Sequence, residues 1–150
     1  MEPGLYHGMN LQFRYPENWT LSEETEQGVV NAVHVESPDH AIFAINRYRR
    51  NSDPDAILEE AVEAMLSEYE NVEEEEATIT VQGNEYPTRV VRFYYLDLLV
   101  SCQFVAIPDD KDQLLFQFQA EDRDYEKLHL VFQAMMHSAV DSLKNRDKTV

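Results

Sequence analysis

Cysteine is nearly absent: Cys102 is the only one in the chain. A single thiol cannot close an intramolecular disulfide, and a cysteine-based metal site is excluded with it. Cys102 sits in the run LVSCQFVAI, which reads as strand, so a buried and inert thiol is expected. Long apolar runs are missing too. None approaches the ~18 residues that a membrane span requires. The first ten residues, MEPGLYHGMN, have neither a basic end nor an apolar centre, so they do not read as a secretory signal. The expected location is the cytoplasm, unless a leader has been removed from the chain. Glycine and proline are few, 4 and 6, and fall singly near turns, with no linker or internal repeat. Residues 1–150 therefore read as one domain. Basic residues are also scarce: 12 Lys and Arg against 29 Asp and Glu leave a net charge of −17. Such a surface repels phosphate backbones and anionic lipid, which argues against nucleic acid and membrane insertion.

What is present is the composition of a folded globule, 43% hydrophobic and 11% aromatic. LQFRY alternates Leu11, Phe13 and Tyr15 against Gln12 and Arg14, the pattern of a half-buried strand, and Pro16 ends it. VVNAVHVE and AIFAINRY are two further strands around a Ser37–His40 turn. The period then changes. Leu58, Val62, Met65 and Tyr69 recur at helical spacing, with Ser52 or Asp53 as cap and Pro54 in the first turn. Four strands follow: ATITVQ, TRVVRFYYL, LLVSCQFVAI and QLLFQFQA, the first two around a turn at Gly83–Asn84. Tyr125, Leu128, Phe132, Met135, Ala139 and Leu143 form the stripe of a closing helix capped by Asp124. The polar tail 144–150 is expected to fray, leaving a core of about 10–143.

The order β-β-β-α-β-β-β-β-α, with hairpin connections, predicts an α+β fold: an antiparallel sheet of six to seven strands with helices on both faces. AIFAI and LLVSCQFVAI are apolar on both faces, so each face calls for a helix. This order, together with four local features, resembles the superfamily of the PsbP-like, Mog-type Ran-binding and bacterial DcrB-like proteins. The features are Pro16-x-x-Trp19 after an early strand, DPDAILEEAVEAML after the third strand, VQGNEYPTRVVRF entering the central strands, and a last helix carrying Ser138. One departure is Asn18, where the family has Gly before Trp. Asn tolerates φ > 0 better than other non-glycine residues, so the turn is expected to survive and return Trp19 to the core. The resemblance implies an α/β/α sandwich and no shared enzymatic activity. Its members are mostly accessory or binding proteins: a photosystem subunit, a partner of a small GTPase, and chaperones for secretion effectors.

No GxSxG, HExxH, phosphate loop or GxGxxG occurs. No catalytic residue, cofactor site or metal site is predicted, and the expected activity is a non-catalytic protein-binding or accessory one. Self-association is left open. Three stretches are candidate contact surface. RYRR gathers Arg47, Arg49 and Arg50 just before the acidic helix. That helix presents Glu59, Glu60 and Glu63, within a stretch from Asn51 to Thr88 that has no Lys or Arg. Tyr94 and Tyr95 are adjacent near a hairpin, so their side chains point to opposite faces. Each has a plainer reading, as charge offset, solvated helix face and core packing. The alternative function is a small-ligand or enzymatic pocket between sheet and helix, built on His34, Arg92 and Tyr94.

Overall fold

The computed structural model describes residues 4–49 and 52–147. In chain order these form β1 (Gly4–Gly8), β2 (Leu11–Tyr15), β3 (Thr20–Glu26), β4 (Val29–Glu36), β5 (Ile42–Tyr48), α1 (Pro54–Glu68), β6 (Glu73–Val81), β7 (Asn84–Tyr95), β8 (Leu98–Asp109), β9 (Asp112–Glu121) and α2 (Asp122–Asp147). A seven-stranded antiparallel sheet runs β3-β4-β5-β9-β8-β7-β6, and β1-β2 form a separate hairpin. The fold is α+β, with a helix on each face of the large sheet.

The alternation read from the strands decides which helix each side chain meets. Val33, Phe43, Ile45, Phe116 and Phe118 point to the α2 side and pack with Phe132, Met136 and Val140. Val91, Phe93, Cys102, Phe104 and Leu115 point the other way, onto Ile57, Leu58 and Val62 of α1. Asp53 caps α1, its carboxylate accepting the Asp55 N–H at 3.1 Å. Burial of Leu58 and Val62 holds the helix to the sheet, each contributing about 1.5–3 kcal/mol. α1 packs on β7, β8 and β9. The β4–β5 side of that face is finished by short or polar side chains: Ala32, His34, Ala44 and, across on β9, Gln117.

Several expectations are corrected. LQFRY is not part of the large sheet; it pairs with β1, which the sequence reading did not assign, through a turn at Met9 and Asn10 with both φ positive. The outer strand beside β4 is β3, which was also missed. Asn18 does not adopt φ > 0. The Trp19 N–H instead reaches the Pro16 carbonyl at 3.0 Å, closing a turn that needs no left-handed residue. Trp19 still folds onto the core, edge-on to Phe132. The β6–β7 turn falls on Gln82–Gly83, one residue before the predicted place. α2 is helical to Asp147, through the first residues of the tail expected to fray, and ordered strand begins at Gly4 rather than near residue 10.

Candidate protein-interaction surface

The predicted contact residues do not form one surface. Arg47 and Arg49 lie at the end of β5, and the tyrosine pair lies at the far end of β7. β8 spans the interval: it carries Leu98 beside the tyrosines and Asp109 beside Arg47, about 35 Å apart at ~3.3 Å per residue. Arg50 lies outside the described residues.

Arg47 is not offered to solvent. Its side chain is 7% exposed, and it contacts the carboxylates of Asp109 at 2.9 Å and Asp112 at 3.2 Å. Its other terminal nitrogen donates to the Met9 carbonyl at 2.7 Å. The guanidinium thus ties the β1–β2 turn to the β8–β9 turn, using its planar fork on three acceptors. Asp109 and Asp112 are the anionic half of this lock. Arg49 is exposed at the rim of the same end. Glu59, Glu60 and Glu63 are exposed on α1 as the helical stripe requires. Glu60 also faces Tyr48, whose phenol is pushed up in pKa first by burial and then by that carboxylate.

The β7–β8 tip is different. Tyr94, Tyr95, Leu96 and Leu98 are 61, 54, 79 and 44% exposed. Tyr95 and Leu98 pair, so the turn has two residues, Leu96 and Asp97, with φ of 50° and 67°. A hairpin turn of this kind suits Asn-Gly and penalises a branched apolar residue by roughly 1–2 kcal/mol. The tip is nevertheless anchored. Tyr69, just past α1, stacks on Phe93 at 4.1 Å and meets the Tyr95 ring edge-on at 6.1 Å. Tyr95 therefore faces the α1 side, while Tyr94 lines a shallow depression with Leu98, Leu99 and Asp122 on the other side. Arg92 stands 3.9 Å from Asp122, and Arg123 holds Glu121 at 2.6 Å. Leu96 and Leu98 were not among the residues predicted from sequence; the signal for them was a leucine-flanked aspartate in a two-residue hairpin loop.

His34, Arg92 and Tyr94 do not converge. β5, β9 and β8 separate His34 from the other two, and His34 lies on the α1 side while Arg92 pairs toward the α2 side. His34 has its Nε2 3.6 Å from Glu24. Cys102 is buried, which pushes its thiol up and away from thiolate reactivity. Tyr125, half-buried at the start of α2, is pushed up to about 12, chiefly by the burial of its ring and hydroxyl. Its hydroxyl donates to Gln103, and Gln103 donates to Thr88. Among the described residues no group of three His, Cys, Asp or Glu side chains is placed to hold a metal ion. Among them, too, no helix is long and apolar enough to cross a membrane.

This arrangement of a seven-stranded antiparallel sheet, two flanking helices and a docked hairpin has counterparts of known structure. The cyanobacterial PsbP, CyanoP, of Synechocystis sp. PCC 6803 is similar with a TM-score of 0.60 at 12% identity, over 91% of either chain. The Saccharomyces cerevisiae Ran-binding protein Mog1p is similar with a TM-score of 0.52 at 8% identity, over 96% of this chain and 94% of that one. A Pseudomonas aeruginosa protein of unknown function, PA94, gives 0.54 at 13%, over 92% and 96%. The fold is PsbP-like, and at these identities the likeness is one of fold. No protein-family model matches the chain, and no curated protein matches it by sequence.

Proposed function

We propose that this is a non-catalytic accessory domain that binds another protein, and that the β7–β8 tip is its principal contact. The observation behind this is Leu96, an apolar side chain 79% exposed on a backbone it strains. Folding alone favours Asn or Gly there, and strained positions cluster where a site needs them. Tyr94 and Tyr95 flank it, aromatic side chains of the kind that anchor protein interfaces, and Leu98 adds exposed apolar area beside them. The Tyr69–Phe93 stack keeps the tip ordered before binding, which lowers the entropy lost on association. Mog1p is by name a Ran-binding protein; what is carried over from it is contact with another protein and nothing narrower.

The test is capture from native lysate at low salt with the wild-type chain, Leu96→Asp and Tyr95→Ala, each variant checked for native near-ultraviolet circular dichroism. A specific partner held by the wild type and lost by both variants supports the reading. Capture of no specific partner, or equal capture by all three, overturns it.

A further inference from the structure

The large sheet has two outer strands, and they are not alike. β3 carries a register shift between Glu24 and Thr25, a local irregularity of the kind that blunts an edge. β6 runs from Glu73 to Val81 in unbroken one-to-one register with β7. A straight outer strand presents unpaired backbone groups to any further strand.

The residues supplying those groups follow from Pro87. It stands opposite Thr78 in the β6–β7 ladder. Opposed residues in an antiparallel pair exchange either both hydrogen bonds or neither. Proline has no N–H to exchange, so Thr78 and Pro87 are a non-bonded pair. Val81 and Asn84, which close the two-residue turn, are a bonded pair, in phase with this assignment. Alternation then turns the N–H and C=O of Glu74, Glu76, Thr78 and Thr80 to the open side.

We propose that the β6 edge takes a cationic extended segment of a partner protein as an additional strand. The backbone of β6 supplies the hydrogen bonds, as in other strand-addition complexes, and the glutamates select the charge. Glu73 to Glu76 lie at one end of the strand, within a stretch from Asn51 to Thr88 that has no Lys or Arg. Arg89 reaches Glu74 and Glu76 only at 3.6 and 3.5 Å, from the inner neighbour β7. A second copy of this chain brings no cation to these carboxylates, since its β6 carries the same four glutamates and no Lys or Arg. Lys or Arg at alternate positions of an incoming strand meet carboxylates instead. Glu73 pairs with Arg92, three residues before Tyr95, so one end of the added strand arrives beside the apolar tip. This inference rests on the protein-binding reading and narrows it.

The test uses a synthetic peptide alternating Lys and Val, and its Glu–Val counterpart. Fluorescence anisotropy at low salt gives affinity, and amide hydrogen exchange read by NMR gives the mode. The Lys peptide is expected to bind and to slow exchange at Glu74, Glu76, Thr78 and Thr80 more than at the residues between them. The Glu peptide is expected not to bind. Thr78→Pro removes one outward donor from an edge position that accepts proline, and is expected to weaken the Lys peptide by about tenfold or more. Equal binding of both peptides, protection without alternation, or unchanged affinity in a folded Thr78→Pro chain overturns the proposal. If that variant misfolds, the exchange pattern of the wild type decides alone. Loss of the lysate partner in Leu96→Asp but not in Thr78→Pro sinks the added strand and leaves the tip reading standing.

Discussion

The hydroxyl of Ser138 accepts the backbone N–H of Arg14 at 3.0 Å, and one helical turn later Ser142 does the same for Gln12. These are alternate residues of β2, so the two serines stand in for a third strand on the outer side of the β1–β2 hairpin. A two-stranded hairpin is marginal by itself; here a helix completes it. Each Ser→Ala substitution should lose about 0.5–1.5 kcal/mol. Exchange of the Gln12 and Arg14 amides should quicken with it, and exchange no faster than in the wild type would show the hairpin held by packing alone.

Arg47 gives a larger effect. Removing its guanidinium leaves Asp109 and Asp112 without it at a buried junction, and Arg47→Ala should lose about 3–5 kcal/mol. Adding Asp109→Asn should recover part of that loss, read as coupling in a double-mutant cycle of urea midpoints. Strictly additive losses would contradict the lock.

On α1 the two faces should separate cleanly. Leu58 is fully buried and Leu58→Ala should lose about 2–5 kcal/mol. Glu60→Gln with Glu63→Gln should be neutral or stabilising by a few tenths of a kcal/mol, since like charges on one helix repel weakly. A loss above about 1 kcal/mol in the double Gln variant would mean that these carboxylates are engaged in the native state.

Leu96→Asn tests strain against use. It should raise stability by roughly 1 kcal/mol, because Asn accepts positive φ, while weakening capture of the partner. A variant both more stable and equally able to bind would leave Leu96 without a role.

Alkaline pH should destabilise the fold. The Tyr125 phenol is raised to about 12 in the folded chain, against an ordinary value of ~10. Between those values the unfolded chain has released the proton and the folded chain still holds it, so the stability present below the ordinary value is lost as pH rises toward the folded one. Cys102 shifts in the same direction. Urea midpoints followed from pH 9 to 12 should fall, and fall less steeply in Tyr125→Phe; a flat wild-type profile would contradict the assignment.

Where a segment packs by one face, the sequence was a sufficient guide. The Leu58–Val62 stripe, the Asp53 cap and the alternation of Leu114, Phe116 and Phe118 each stated both an element and its buried side. β3 was missed because Leu21 is the one apolar residue in TLSEETE, and an outer strand exposed on both faces leaves no period to read. β1, with glycine at both ends, has little strand propensity of its own and is set by Tyr6 and Phe13 packing together. The run Glu73–Glu76 lies ahead of the strand read from ATITVQ, and β7 makes it strand by pairing with it. For the site, the tyrosine pair was visible. The strained turn between Tyr95 and Leu98 depends on register, which the local pattern leaves open, and the burial of Arg47 depends on two turns distant in sequence.

β5 pairs with β9, Ile42 against Gln119, with α1 and three strands intervening along the chain. Every other neighbour pair in the large sheet is joined by a short turn. The sheet is thus two locally wired meanders, β3–β5 and β6–β9, sewn along one seam. Each meander can assemble from nearby residues, while the seam must first close a long loop, whose entropy opposes it until the contacts form. Folding should therefore be limited by the meeting of Phe43 and Phe118, and a ribosome-bound chain that has not yet emitted β9 should leave the outer flank of β5 open to whatever strand it meets first.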